Sequence, residues 1–141
     1  KKKEKYNPNI LVYLRPTMPT RTSYEIDKAV SLMINNKGVD CIRTTRLAPY
    51  PPYWMKKINK NGFLVPYHKH VIPFSTKRRQ DLPDIFMCDG YVDAAKVETI
   101  LQEKQFPTCN ALAYFRENVP YFDIDTIEDW NLCENYMKNY Y

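Results

Sequence analysis

The stretch from Ile10 to Thr45 constrains this chain most. Ile10-Leu11-Val12-Tyr13-Leu14 is a short continuous apolar run, the pattern of a strand buried on both faces of a parallel sheet. It stops at Arg15-Pro16-Thr17-Met18-Pro19-Thr20-Arg21, where two prolines forbid regular structure. Thr22 then caps a helix. Glu25, three residues on, completes a capping box, and Ile26, Ala29, Val30 and Met33 recur at helical spacing. Asn35-Asn36-Lys37-Gly38 ends the helix, and Val39 to Thr45 reads as the next strand. Strand, loop, helix, strand is a βαβ unit, which implies a right-handed crossover and a parallel sheet. The expected class is α/β.

The length of 141 residues allows one domain. Hydrophobic residues at 44% and charged ones at 26% fit a packed globular chain rather than a disordered one. No apolar run approaches the ~18 residues that a membrane-spanning helix needs. Lys1-Lys2-Lys3-Glu4-Lys5 has no apolar stretch directly behind it, so no signal peptide is read. Cys41, Cys88, Cys109 and Cys133 lie far apart and form no C-x-x-C pair. Zinc and redox motifs are therefore unsupported, and reduced thiols in a soluble, cytoplasmic protein are expected. The net charge of +5 is spread over three clusters: Lys1 to Lys5, Lys56-Lys57 with Lys60, and Lys77-Arg78-Arg79. No basic helical stripe or nucleic-acid motif accompanies them, so neither nucleic acid nor membrane is an expected partner.

From Ala48 the texture changes. Pro49, Pro51 and Pro52 lead into Tyr53-Trp54-Met55, and Asn61-Gly62 separates Lys56-Lys57-Ile58 from Phe63-Leu64-Val65 as a hairpin turn. Residues 48–75 read as an excursion from the sheet, with Tyr53, Trp54 and Met55 exposed for docking on the parent domain or another subunit. Ile85-Phe86-Met87 and Tyr91-Val92 bracket a tight bend at Asp89-Gly90. Ala94 to Lys104 reads as a helix, and Leu112–Phe115 and Tyr121–Ile124 as short strands. A last helix starts at Thr126, with Asp129 at its third position and Ile127, Trp130, Cys133 and Met137 as its buried face.

Asp123-Ile124-Asp125 is the sharpest chemical candidate. Alternate positions at a strand end point both carboxylates one way, which suits Mg²⁺ bound by one or two carboxylates plus substrate phosphates. The tripeptide alone is also an ordinary helix start. Arg78-Arg79-Gln80 offers forked donors for phosphate or carboxylate, or a solvated loop. Arg15 and Arg21 flank the proline loop beyond a strand's carboxyl end, where open α/β sheets bind ligands. His68 and His70 sit two apart with no third metal ligand nearby, so they read as exposed loop histidines.

Taken in order, four strings resemble the CMP-sialic acid synthetase (acylneuraminate cytidylyltransferase) family. Leu14-Arg15-Pro16-Thr17-Met18-Pro19-Thr20-Arg21 is similar to that family's Leu-Gln-Pro-Thr-Ser-Pro-Leu-Arg loop. Pro52 to Ile58, with Gly62-Phe63-Leu64, resembles its hairpin. Arg78-Arg79-Gln80-Asp81-Leu82-Pro83 is similar to its Arg-Gln-x-Leu-Pro string, and Asp123-Ile124-Asp125-Thr126 to its Asp-Ile-Asp-Thr signature. The resemblance implies a Rossmann-like, nucleotide-diphospho-sugar transferase type of mostly parallel sheet with a protruding β-hairpin. It implies transfer of CMP from CTP to a sialic-acid-like sugar acid, with release of pyrophosphate, by a homodimer whose 48–75 hairpin reaches the partner through Tyr53, Trp54 and Met55. Asp123 and Asp125 would be catalytic and hold Mg²⁺. Arg15, Thr17, Arg21, Arg79, Gln80 and Asp89 would bind substrate.

The departures narrow this. Arg15 and Met18 replace the family's Gln and Ser, and Met87-Cys88-Asp89-Gly90-Tyr91-Val92-Asp93 replaces Arg-Pro-Asn-Gly-Ala-Ile-Tyr. An expected Arg, Asn and Tyr are lost, and the acidic Asp89 and Asp93 should repel an anionic acceptor, so sialic acid itself is not expected. Only nine residues precede Ile10, and the three glycines Gly38, Gly62 and Gly90 form no phosphate loop. The expectation is a single partial domain over 1–141, truncated at its amino end and incomplete for catalysis as it stands. The alternative is a non-catalytic, dimer-forming relic of the fold.

Overall fold

The first helix forms where its caps and apolar spacing place it. In the computed structural model, which describes residues 6–107, 110–117 and 119–140, α1 spans Ser23–Asn35. The Thr22 hydroxyl accepts from the Glu25 N–H, and the Glu25 carboxylate accepts from the Thr22 N–H, so two orphan donors of the first turn are satisfied. Ala29 and Met33 are its buried apolar residues. They join Met18, Ile42, Val92, Ala94 and Tyr114 in the hydrophobic core. Full burial of a side chain such as Met or Val contributes about 1.5–3 kcal/mol, so this cluster fixes the helix on the sheet.

The chain divides into two compact units. One comprises residues 1–46 and 88–141, and the other is Leu47–Met87. The first unit is built on a four-stranded sheet in the order β1 (Ile10–Tyr13), β5 (Phe86–Lys96), β2 (Cys41–Leu47) and β6 (Ala111–Phe115). β1 pairs with β5 antiparallel, Tyr13 opposite Asp93, and β2 pairs with β6 parallel, Arg43 opposite Ala113. The Lys96 N–H donates to the Asp40 carbonyl, while Val92 bonds Thr44 further along, so β5 also runs antiparallel to β2. The sheet is therefore mixed, with one parallel pair, and not the mostly parallel sheet expected. The βαβ unit is still there, but β5 is inserted between its two strands. Nor is β1 buried on both faces: it is an edge strand, with Leu11 42% and Tyr13 50% exposed. A continuous apolar run does not specify whether both faces will find partners.

Other boundaries moved for local reasons. The bend at Asp89-Gly90 does not separate two strands. Gly90 takes a left-handed φ of 70° and bends one continuous β5, a conformation that costs a residue with a side chain more. That strand absorbs Ala94, Ala95 and Lys96, leaving α2 only Val97–Glu103. Residues Tyr121 to Ile124 form no strand. α3 (Ile127–Tyr140) begins as expected, but Ile127 and Trp130 are 67% and 53% exposed, and Cys133 is its buried residue. The described cysteines Cys41, Cys88 and Cys133 are free thiols; Cys109 and the Lys1 to Lys5 cluster fall outside the described residues. No described helix is long and apolar enough to cross a membrane.

The start of α3 carries a pH-dependent cap. The Asp129 carboxylate accepts from the hydroxyl and backbone N–H of Thr126 and from the N–H of Asp125, and these bonds, led by the Thr126 hydroxyl, hold it below the usual carboxylate range. A depressed folded-state pKa contributes stability above the unfolded value of about 3.9 and loses it as pH falls through the folded value. Thr126→Ala should cost about 1 kcal/mol at pH 7, and this penalty should shrink as Asp129 protonates. Urea unfolding at pH 7 and along a series of falling acid pH measures it; a penalty that stays constant until Asp129 is protonated and beyond would count against the cap.

The Leu47–Met87 unit contains the expected hairpin, β3 (Lys56–Ile58) antiparallel to β4 (Leu64–Pro66). The Asn59 side chain accepts from the N–H groups of Asn61 and Phe63, and Gly62 supplies a φ of 82°. Tyr53 and Trp54 are half-buried within this unit. Tyr53 packs on Phe74 with ring centroids 5.0 Å apart, and Trp54 Nε1 donates to the Lys77 carbonyl. Met55 is exposed, as are Ile58, Phe63, Leu64 and Tyr67 around the hairpin. His68 and His70 are exposed, their rings stacked, and His68 Nδ1 accepts from the His70 N–H.

Candidate functional site

β1, β2 and β6 all run against β5, so their carboxyl ends gather at one edge of the sheet, and the loops beyond that edge form the candidate site. The proline loop leaves β1 there. Met18 is fully buried and anchors it in the core, the Thr20 and Tyr91 hydroxyls bond each other, and Arg21 Nη1 donates to the Arg15 carbonyl at 2.7 Å. The Ile124 N–H donates to the Thr17 carbonyl at 2.9 Å. That one bond brings the proline loop and Asp123-Ile124-Asp125 together from distant parts of the sequence.

Asp123 accepts from the Tyr121 hydroxyl at 3.2 Å. Burial, reinforced by the Asp123 charge, raises the Tyr121 pKa, so the phenol stays protonated as donor. The Arg46 guanidinium lies 3.6 Å from the centroid of the same ring. Asp125 is exposed and donates its N–H to Asp129. The two carboxylates are hard oxygen donors of the kind Mg²⁺ takes when substrate phosphates complete its shell, so the donor chemistry fits that ion. No group of three or more His, Cys, Asp or Glu side chains suited to a metal occurs among the described residues. An all-protein cage is therefore not what this edge offers.

Asp89 has a different place from the one expected for a substrate ligand. It is 2% exposed and accepts from Arg116 Nη1 at 3.1 Å, while Glu25 accepts from Arg116 Nε at 3.0 Å. The Arg116 guanidinium also lies 3.4 Å from the Tyr91 ring centroid. Glu25 thus uses one oxygen to cap α1 and the other to hold the end of β6. Asp93, also 2% exposed, pairs with Arg43 at 3.4 Å and Arg15 at 3.9 Å. Both acidic residues expected to repel an anion are neutralised by arginines.

A cavity of about 500 Å³ opens beside this network, lined by Thr22, Glu25, Lys28, Tyr114, Arg116 and Tyr136 among others. Its size suits a small organic ligand. The Lys28 ammonium lies 5.1 Å from the Tyr114 ring centroid. Arg79 and Gln80 belong to the Leu47–Met87 unit, in a short 3₁₀ helix. Both are exposed, and Arg79 Nη1 donates to the Pro49 carbonyl. Glu25, Arg43, Arg46, Arg116 and Tyr121 were missed in the sequence. Arg116 alone had a signal, its place just past a strand that runs parallel to its neighbour.

No protein-family model matches the chain, and no curated protein sequence matches it either.

Proposed function

We propose that this chain supplies the metal and acceptor side of a nucleotidyltransferase that passes CMP from CTP to a sialic-acid-like sugar acid and releases pyrophosphate. The observation that carries the reading is the Ile124 to Thr17 hydrogen bond. It sets the two-proline loop against Asp123 and Asp125 at the carboxyl edge of an α/β sheet, so that two of the strings carrying the resemblance to CMP-sialic acid synthetases lie side by side. Asp123 and Asp125 would hold Mg²⁺. Magnesium, when bound, would offset the triphosphate charge and help the attacking hydroxyl lose its proton. The protein's own contribution is positional. The buried Glu25–Arg116–Asp89 network fixes the end of β6 and the bend of β5, and Tyr121 orients the Asp123 carboxylate.

The test is pyrophosphate release by the full-length protein with CTP, Mg²⁺ and a panel of sugar acids. Metal-dependent release with one of them supports the reading. No release with any acid, together with no CTP binding, would identify a non-catalytic relic of the fold.

The homodimer belongs to the same proposal. Residues 47–87 hold five lysines and two arginines against two aspartates, the whole net charge of the chain, and expose Ile58, Phe63 and Leu64 between those cations. Phe63→Ser with Leu64→Ser should shift a dimer toward monomer in sedimentation equilibrium. An unchanged mass would remove the hairpin from the interface.

A further inference from the structure

Two guanidiniums share one buried carboxylate on the sheet. Asp93 lies in β5 with its side chain 3% exposed, and it faces Arg43 Nε at 3.4 Å and Arg15 Nη2 at 3.9 Å. Arg43 sits 5.8 Å from the Phe106 ring centroid and is mostly covered, its side chain 26% exposed. Arg15 is seated against the backbone of Gly90. A Cβ added to that glycine would lie 2.7 Å from the Arg15 Cζ and Nε, so the bend of β5 leaves room for the guanidinium. Among the described residues the Arg15 side chain donates no hydrogen bond at normal length, and Arg43 uses only Nε and Nη2, both on Asp93. One anion against two cations leaves a surplus positive charge, with planar donors unclaimed and those of Arg15 partly open to solvent.

We propose that Arg15 and Arg43, aligned on the buried Asp93 carboxylate, form an oxyanion-binding fork that takes the carboxylate of a sugar acid. Forked guanidinium donors match the two oxygens of a carboxylate, and the shared chemistry would also admit a phosphoryl group. Asp93 is a positioning residue, holding the two guanidiniums on one face without itself touching the ligand. The acceptor's identity as a sugar acid rests on the proposed cytidylyltransferase reading, but binding of the anion needs neither nucleotide nor turnover.

The test is a titration of the ¹⁵N-labelled protein with glucuronate and, separately, with inorganic phosphate, followed at the arginine Nε–H resonances. Glucuronate should shift the Arg15 and Arg43 signals along one saturable curve. Arg15→Gln and Arg43→Gln, checked for native circular dichroism, should each weaken that binding at least about tenfold, since bonds to charged groups are the strong ones. Arg15→Lys, which keeps the charge and loses the fork, should fall between. Phosphate binding more tightly than glucuronate would overturn the carboxylate assignment. Neither anion shifting these signals, or binding unchanged in both glutamine variants, would overturn the fork altogether. Pyrophosphate release without glucuronate binding would remove only the fork; glucuronate binding without any release would remove only the transferase.

Discussion

Replacing Arg116 with leucine is expected to destabilise the protein by about 3–5 kcal/mol, the range found when one partner of a buried ion pair is removed. At roughly 2–4 °C per kcal/mol for a chain of this size, the melting temperature should fall by about 6–20 °C. The cause is the two carboxylates left behind. Asp89 is fully buried and Glu25 nearly so, and Arg116 is the cation that both face at 3.1 and 3.0 Å. The guanidinium is also stacked on Tyr91, so packing is lost with the charge. Adding Glu25→Gln and Asp89→Asn to the leucine variant should recover part of the loss. The amide oxygens so introduced can still accept, one from Thr22 and the other from the Tyr91 N–H, and no buried charge remains. A single variant within about 1 kcal/mol of wild type in urea unfolding would show that the network does not hold this edge together.

The second large effect concerns turnover. Asp123→Ala or Asp125→Ala in the full-length protein should lower metal-dependent pyrophosphate release at least about a hundredfold, because metal stabilisation of transition-state charge is worth several kcal/mol and each 1.36 kcal/mol is tenfold in rate. Stability should hardly change. Asp125 is exposed, and Asp123 gives up one bond from Tyr121. Raising Mg²⁺ should partly rescue a variant that retains one carboxylate and should not rescue the double variant. Normal turnover in either single variant would move the metal elsewhere.

The two units differ in how much of them could be read from sequence. The hairpin was legible because Asn59, Asn61 and Gly62 carry their own turn chemistry, and both capping boxes were legible because Thr22–Glu25 and Thr126–Asp129 are three residues apart. Residues that must meet from afar were not. Arg116 reaches Glu25 across 91 positions and Asp89 across 27, and no local pattern marks such a pair. Strand order failed for the same reason. Ile10 to Tyr13 fits an edge strand or a central one equally well until β5 is known to pair with it. The outward face of α3 shows the limit of periodicity: Ile127 and Trp130 keep helical spacing yet face solvent, because spacing says which residues share a face and not whether anything covers it.

The same limit changed the meaning of Asp89 and Asp93. As a string they added two negative charges where an acid should bind. In the folded chain each lies under arginine, and the local balance turns from repulsion to a surplus of guanidinium. The proline loop and the acidic tripeptide, by contrast, are joined through a single backbone bond.

Paramagnetic Mn²⁺, standing in for Mg²⁺, tests the central claim most directly. Titrated into the ¹⁵N-labelled protein, it should broaden the amide signals of Thr17, Ile124 and Asp125 first, and the Asp123→Ala, Asp125→Ala double variant should lose that broadening. Broadening centred elsewhere, or unchanged in the double variant, would contradict the placement of the metal site at the carboxyl edge of the sheet.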